Sequence, residues 1–245
     1  MLPILQIDAG STPYSAAYAW QQQLHARRTA SLIPDILLLL EHPHVFTLGR
    51  RFHPDHLLED PAVLARRGIE IREADRGGSI TYHGPGQLVA YPIVDLRTRA
   101  APRPDVIRYL RLLEAAALAT VSDFGIEAGL RPGLTGVWVG RSKLAAIGVN
   151  VSRGVTKHGV AVNVSTDLEL FSSMVPCGIP DAQVTSMERE LGRPVSIDDV
   201  ASVFVGHLAS SLGRRVQHAT IGDLGLEAVP ESLARKPVGK VAVRG

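Results

Sequence analysis

The scarcest reactive side chains in this chain come first. Its one cysteine, Cys177, sits in "VPCGIP" at 175–180, bracketed by Pro176 and Pro180. Proline on both sides describes a stiff loop rather than a helix or strand. A cysteine that fills core space sits more often within an apolar run, so Cys177 is a candidate nucleophile. The plainer reading of a lone cysteine is a small buried hydrophobe. Lysine is almost as scarce: only Lys143 and Lys157 precede residue 236. Lys143 lies in "RSKLAAIG", between a polar turn and an apolar run. A partly buried ammonium has a lowered pKa and can exchange a proton with a thiol. A solvated lysine that protects a strand edge is the plainer reading of either lysine.

The longest unusual stretch is "RGGSITYHGPGQLVAYPI" at 76–93. Its pattern reads as strand, turn, strand: a hairpin with Gly84-Pro85-Gly86 at its corner. Gly77 and Gly78 have no Cβ, so a ligand or another strand can approach their backbone closely. The turn would hold His83 in place among backbone N–H groups. A hairpin with ordinary turn chemistry explains the same residues. His42, His44, His53 and His56 form a third group, in "EHPHVFTLGRRFHPDH". Their spacing matches no standard zinc pattern, and no metal site is expected. There is no GxGxxG and no Walker motif, so no nucleotide phosphate loop is indicated.

These residues need elements to hold them. Residues 3–8 read as a strand and 12–31 as a helix; residues 34–49 give a buried strand, a turn and a second strand. A short helix ends near Gly68, and 103–125 is the clearest helix. Residues 136–164, rich in valine and broken by glycines, read as consecutive antiparallel strands. In "VSIDDVASVFVGHLASSLG" Ser196 is the N-cap, and Val200, Val203, Phe204, Leu208 and Leu212 share one face. Strand runs separated by single helices predict an α+β fold: a mixed, mostly antiparallel sheet with packed helices. The chain's 245 residues suffice for one domain with a full core. We expect a single domain over 1–216 and a loose C-terminal tail over 217–245.

A net charge of +2 gives no nucleic-acid signal. The longest aliphatic run, "ILLLL" at 36–40, is too short for a membrane span. One cysteine and no signal-peptide pattern at the N-terminus suit the cytoplasm. Of the 26 basic residues, all but four are arginine. A GC-rich genome gives that bias, and so does a surface for phosphate or carboxylate partners.

Together these segments resemble the octanoyltransferases of lipoate biosynthesis, the lipoate-protein ligase B family. The stretch 76–93 carries most of the resemblance. "LLLLEHPHVFTLGR", "GVWV…KLAAIGV", "HGVAVNV" and "VPCGI" follow the family's order. It runs from about Leu37 to Leu212. The resemblance implies the fold of the biotin and lipoate protein ligases. It implies transfer of an octanoyl group from octanoyl-acyl carrier protein to a lysine of a lipoyl domain. The acceptors would be the 2-oxoacid dehydrogenase complexes and the glycine cleavage H protein. No cofactor, metal or ATP is implied. Cys177 would carry the acyl group as a thioester, and Lys143 would lower its pKa and shuttle protons. The substrate would lie along Arg76, Gly77, Gly78, Ser79, Ile80, Thr81, Tyr82 and His83. Across from them would stand Ala146, Ile147, Gly148, Gly159, Val160 and Ala161. His83 would orient either the thioester or the lysine. The edge near Arg50, Arg51 and Arg76 would meet the acidic carrier. An ATP-dependent ligase of the same fold and a non-catalytic acyl-binding module are the rivals, and the pair of Cys177 and Lys143 counts against both.

Overall fold

The computed structural model describes residues 2–97, 103–175 and 183–226. In chain order its elements are β1 (Leu2–Ser11), α1 (Tyr14–Thr29), β2 (Asp35–Glu41), β3 (Val45–Leu48), α2 (Pro61–Arg66), β4 (Glu70–Glu73), β5 (Ile80–His83) and β6 (Gln87–Ile93). These are followed by α3 (Val106–Asp123), β7 (Gly129–Arg131), β8 (Leu134–Val139), β9 (Ser142–Ser152) and β10 (Val155–Asn163). Last come β11 (Gln183–Val184), α4 (Met187–Leu191), α5 (Ile197–Leu212) and β12 (Arg214–His218). The fold is α+β, with most strand pairs antiparallel. No described helix is long and apolar enough to cross a membrane.

The large sheet runs β12-β1-β2-β6-β10-β9-β8-β7, and β11 pairs with the first residues of β9. Its centre is buried on both faces: every residue of β6 and β10 is buried. One face packs Leu88, Ala90, Val160 and Val162 against Leu113 and Ala117 of α3 and Phe204 and Leu208 of α5. The other packs Val89, Tyr91 and Ala161 with Ala17, Trp20 and Leu24 of α1. Helix ends follow their sequence signals. The Asp199 N–H donates to Ser196 Oγ at 3.3 Å, and Gly213 closes α5 at a φ of 63°.

The expected hairpin at 76–93 is absent. Strand β5 pairs with β3 in a second sheet of order β4-β3-β5, whereas β6 pairs with β2 and β10 in the large one. The Gly84-Pro85-Gly86 corner is a crossing between sheets. Local turn chemistry is the same in both cases, and only the identity of each strand's partner tells them apart. Crowding accounts for the glycines. A Cβ on Gly84 would sit 1.9 Å from Tyr82 Oη. Gly86 has a φ of 79°, and its Cβ would meet the Ser165 backbone at 2.7 Å. The Gly86 N–H donates to Glu41 Oε2 at 2.7 Å, and its carbonyl accepts from Val164, Ser165 and the Thr166 hydroxyl.

The small sheet has its own core. Phe46, Ile80 and Tyr82 pack with Leu64, Leu170 and Phe171. The expected domain boundary at 216/217 falls inside β12, which runs parallel to β1. Leu224 and Leu226 are buried beside α1, so the chain packs onto the body through residue 226. The remainder of the expected tail, 227–245, lies outside the described residues.

Gly86→Ala tests the crossing. A non-glycine residue at that φ costs about 1–3 kcal/mol before any overlap with Ser165 is counted. The unfolding free energy from urea titration should fall by that much or more, through a lower midpoint at unchanged slope, and an unchanged midpoint would contradict this account of the turn.

Candidate active site

A cavity lies between the α1-side face of the large sheet and the loop that leads into β5. Arg76, Gly77, Gly78, Ser79, Ile80, Thr81 and His83 form one wall. Ala146, Ile147 and Gly148 of β9 with Gly159, Val160 and Ala161 of β10 form the opposite one. Lys143, Tyr14, Tyr91 and His158 complete the lining. A second cleft shares Gly77, Gly78, Ser79, Lys143, Ile147 and Gly148 with the cavity and adds Arg51 and His56 at its rim. Of the substrate-lining residues expected from the sequence, Tyr82 alone is elsewhere. Strand alternation turns Thr81 and His83 toward the cavity and Tyr82 into the small sheet's core; Ile80, at the start of β5, both lines the cavity and packs in that core. There the Tyr82 hydroxyl meets His44 Nδ1 at 2.7 Å. Cys177 lies outside the described residues.

The loop is pinned from both ends. Arg76 is only 8% exposed; its Nη2 donates to the Thr47 carbonyl at 2.6 Å and to Thr47 Oγ1 at 2.8 Å. This corrects the expectation that Arg76 shares a carrier-facing edge with Arg50 and Arg51: those two are exposed, whereas Arg76 is absorbed by β3. The Gly77 N–H donates to the Val149 carbonyl at 2.9 Å, and Ser79 accepts from the Gly49 N–H at 2.8 Å. The glycines fit this packing. A Cβ on Gly148 would lie 3.1 Å from the Gly77 carbonyl, and one on Gly159 would lie 2.2 Å from the Ala90 carbonyl. Backbone makes the nearest approach to both glycines, with the side chains of Arg76 and Pro92 close behind. Gly78 has a φ of 89°, and Gly77 alone has ordinary room for a Cβ.

Sequence reasoning missed Asp75. Its carboxylate accepts from Lys157 Nζ at 2.6 Å, His158 Nε2 at 2.6 Å and Asn150 Nδ2 at 2.8 Å. Burial works against its ionised form, but the hydrogen bonds from His158 and Lys157 outweigh that and hold its pKa well below the usual carboxylate range. Lys157 is therefore no solvated edge residue; it is 4% exposed and also reaches Gln22 Oε1 at 3.0 Å. The available signal was "TKHG", two basic side chains inside an otherwise apolar strand. Lys143 is also buried, at 7% exposed, with Nζ 4.7 Å from the centroid of the Trp138 ring.

The four histidines of the third group are dispersed. His42 Nδ1 meets the Thr12 carbonyl at 2.7 Å and its Nε2 meets the Tyr91 hydroxyl at 2.8 Å. His56 Nδ1 lies 2.6 Å from Ser79 Oγ, and His53 is exposed. No group of three metal-ligating side chains gathers among the described residues. His83 is buried, with Nδ1 2.6 Å from Gln87 Oε1, and Gln87 Nε2 reaches Asn163 Oδ1 at 2.9 Å.

Burial pushes three of these histidines down. His42 is lowered from 6.5 to about 4. His83 is lowered by burial and by the nearby His42, and His158 by burial against the pull of Asp75. In the unfolded chain each protonates near 6.5, whereas in the folded protein each stays neutral. Their contribution is therefore intact above about pH 6.5 and is lost as pH falls toward the folded values. For His42 the slope is about 1.4 kcal/mol per pH unit between 6.5 and 4. Urea unfolding at pH 7, 6, 5 and 4.5 should show stability falling through that window. His42→Gln should start lower but fall less steeply; parallel curves would mean that His42 carries none of the slope.

The profile of the lipoyl protein ligase A/B catalytic domain matches residues 13–209. An octanoyltransferase of Solibacter usitatus (strain Ellin6076) is 52% identical over 200 residues, covering 82% of this chain and 89% of the relative. One of Chloroflexus aurantiacus (strain ATCC 29366 / DSM 635 / J-10-fl) is 47% identical over 202 residues, covering 81% and 89%. Among solved structures, a bipartite lipoate protein ligase of Thermoplasma acidophilum, determined with its E2 lipoyl domain, superposes with a TM-score of 0.66. The two are 21% identical, with 96% of this chain and 90% of that one covered. A lipoate-protein ligase A bound with ATP gives 0.66 at 17% identity, covering 95% and 92%. At these identities the structures speak for the fold alone. The family profile and the two relatives, each spanning about four-fifths of the chain, show that it belongs to the lipoyl protein ligase A/B catalytic domain family, alongside the octanoyltransferases.

Proposed function

We propose that this protein is an acyltransferase that moves an octanoyl group from octanoyl-acyl carrier protein to a lysine of a lipoyl domain, through a thioester on Cys177. The acceptors on this reading are the lipoyl domains of 2-oxoacid dehydrogenase complexes and the glycine cleavage H protein. The observation that carries it is Lys143, a buried lysine on the wall of a cavity whose β9 and β10 side carries Ala146, Gly148, Gly159 and Ala161. The 52% identity to an octanoyltransferase supports the choice of acyl group.

The chemistry follows from the two side chains. A free thiol has a pKa near ~8.5, so only a few per cent is thiolate at neutral pH. An ammonium beside it raises that share. Cys177 thiolate attacks the carrier thioester, and Lys143 gives its proton to the departing thiol. Lys143, now neutral, takes a proton back when the acceptor amine attacks the acyl-enzyme. Exchange between thioesters is nearly level in energy and thioester to amide is downhill, so ATP is not needed.

Intact mass after mixing with octanoyl carrier protein tests this. Wild type should gain one acyl group without ATP, and Cys177→Ala should gain none and transfer none. An acylation that needs ATP, or an active alanine variant, would sink the mechanism. Lys143→Met keeps the stem and removes the charge. Iodoacetamide should then alkylate Cys177 more slowly at neutral pH, and its alkylation curve should shift to higher pH; superimposable curves would remove Lys143 from the dyad.

The cavity wall offers a separate test. Each methylene buried along it is worth about 0.8 kcal/mol. Ala146→Leu projects bulk from β9 and should shift preference from eight-carbon toward shorter donors. Equal turnover of six- and eight-carbon donors relative to wild type would put the chain elsewhere.

A further inference from the structure

The sequence leaves two roles for His83. Holding a thioester carbonyl requires an N–H on the ring nitrogen that faces the substrate. Holding an amine requires a bare nitrogen there. The hydrogen bonds behind the ring choose between them. The Thr185 carbonyl can only accept, so the Asn163 atom 2.9 Å from it is the amide nitrogen. Asn163 then turns its oxygen to Gln87, which must present its own nitrogen at 2.9 Å. That nitrogen also lies 3.3 Å from the Tyr82 carbonyl, a second obligatory acceptor that fixes the same orientation independently. The Gln87 oxygen is thus left facing His83 Nδ1 at 2.6 Å, so Nδ1 carries the proton. A neutral imidazole has one N–H, and its other nitrogen is an acceptor. Burial, His42, Arg76 and His158 all disfavour a charged ring here, and only the bond to Gln87 opposes them. Nε2 is therefore bare.

His83 also stands at the catalytic end of the cavity. Asn163, the last residue of β10, pairs with Gln87, the first of β6. Val162 pairs with Ala145, which puts Asn163 level with Leu144, next to Lys143. The Thr185 N–H donates to the Lys143 carbonyl at 3.0 Å, so the same short chain of bonds ends beside that lysine. His42 cannot serve His83, because both of its nitrogens are engaged by Thr12 and Tyr91.

Proton accounting gives this nitrogen a task. The acceptor lysine arrives as an ammonium and ends as an amide N–H, so it loses two protons. Neutral Lys143 can take one. The C–N bond forms, the C–S bond breaks with its electron pair on Cys177, and a second proton remains on the attacking nitrogen. That proton becomes the more acidic once the nitrogen has bonded to the acyl carbon, which suits the weaker base. We propose that His83 Nε2 accepts a hydrogen bond from the incoming amine and takes this second proton, then releases it to solvent, with Gln87 and Asn163 as positioning residues that keep Nε2 bare. This rests on the acyl-enzyme reading above.

Long-range proton–nitrogen correlation spectra of histidine-labelled protein read the tautomer directly, with His83 assigned from the signals lost in His83→Gln. The proton should be on Nδ1 in wild type and in Gln87→Glu, whose carboxylate still accepts from it. Gln87→Leu should populate both tautomers. In rapid-quench mass measurements, acyl loading from octanoyl carrier protein should change less than ~10-fold in Gln87→Leu. The chase onto a lipoyl domain should slow by ~10²-fold, and Gln87→Glu should restore most of it. A proton on Nε2 in wild type, or loading and chase that fall together, overturns the proposal. A wild type that never carries an acyl adduct instead overturns the acyl-enzyme reading on which the second step depends, whatever the tautomer.

Discussion

One carboxylate holds the site together. Asp75 immediately precedes the loop that walls the cavity, and it accepts from Lys157 and His158 of β10 and Asn150 of β9. Those donors are themselves buried, so they depend on the carboxylate: removing it leaves Lys157 buried without its ion-pair partner and the His158 N–H unpaired. Arg76, the next residue, fastens the loop to β3 of the other sheet. Two adjacent residues thereby fix the distance between two sheets. His158 supports this with a φ of 57°, a left-handed backbone that a non-glycine residue holds only when its surroundings impose it.

How far the site could be read from the sequence divides along physical lines. Local rules worked where the cause is local: the Ser196 cap, the glycine ends of α3 and α5, and the valine-rich strands of 136–164 all have partners nearby in sequence. The hairpin at 76–93 failed because its turn residues suit any sharp reversal, and the strand partners lie 32 or more residues away. Lys157 was read as solvated because its charge partner, Asp75, is 82 residues distant. Tyr82 and His83 were placed on one wall together, although neighbours in a strand face opposite ways. The residues expected on the β9 and β10 wall came from the family resemblance, because nothing in the spacing of 146–148 and 159–161 alone marks them as a cavity lining.

Glycine in this family motif has more than one cause. At Gly86 the reason is a positive φ and a crowded crossing; at Gly159 it is a neighbouring strand 2.2 Å from where a Cβ would be. Neither depends on a substrate. The polar chain from Thr185 through Asn163 and Gln87 to His83 is of a different kind: both ends of each amide are engaged, so the orientation of each is dictated by the next. Such fully connected buried networks specify one arrangement rather than add much stability.

The cavity belongs to neither sheet alone. One wall is the large sheet's own strands, and the other is a loop whose continuation, β5, belongs to the small sheet. An occupant that touches both walls is therefore a spacer between two bodies of the same domain. Its binding free energy adds to the cohesion of the whole fold by mass action, in proportion to the logarithm of its concentration over its dissociation constant. Loaded and empty protein should then differ in how readily the sheets part, a mechanical difference as much as a chemical one.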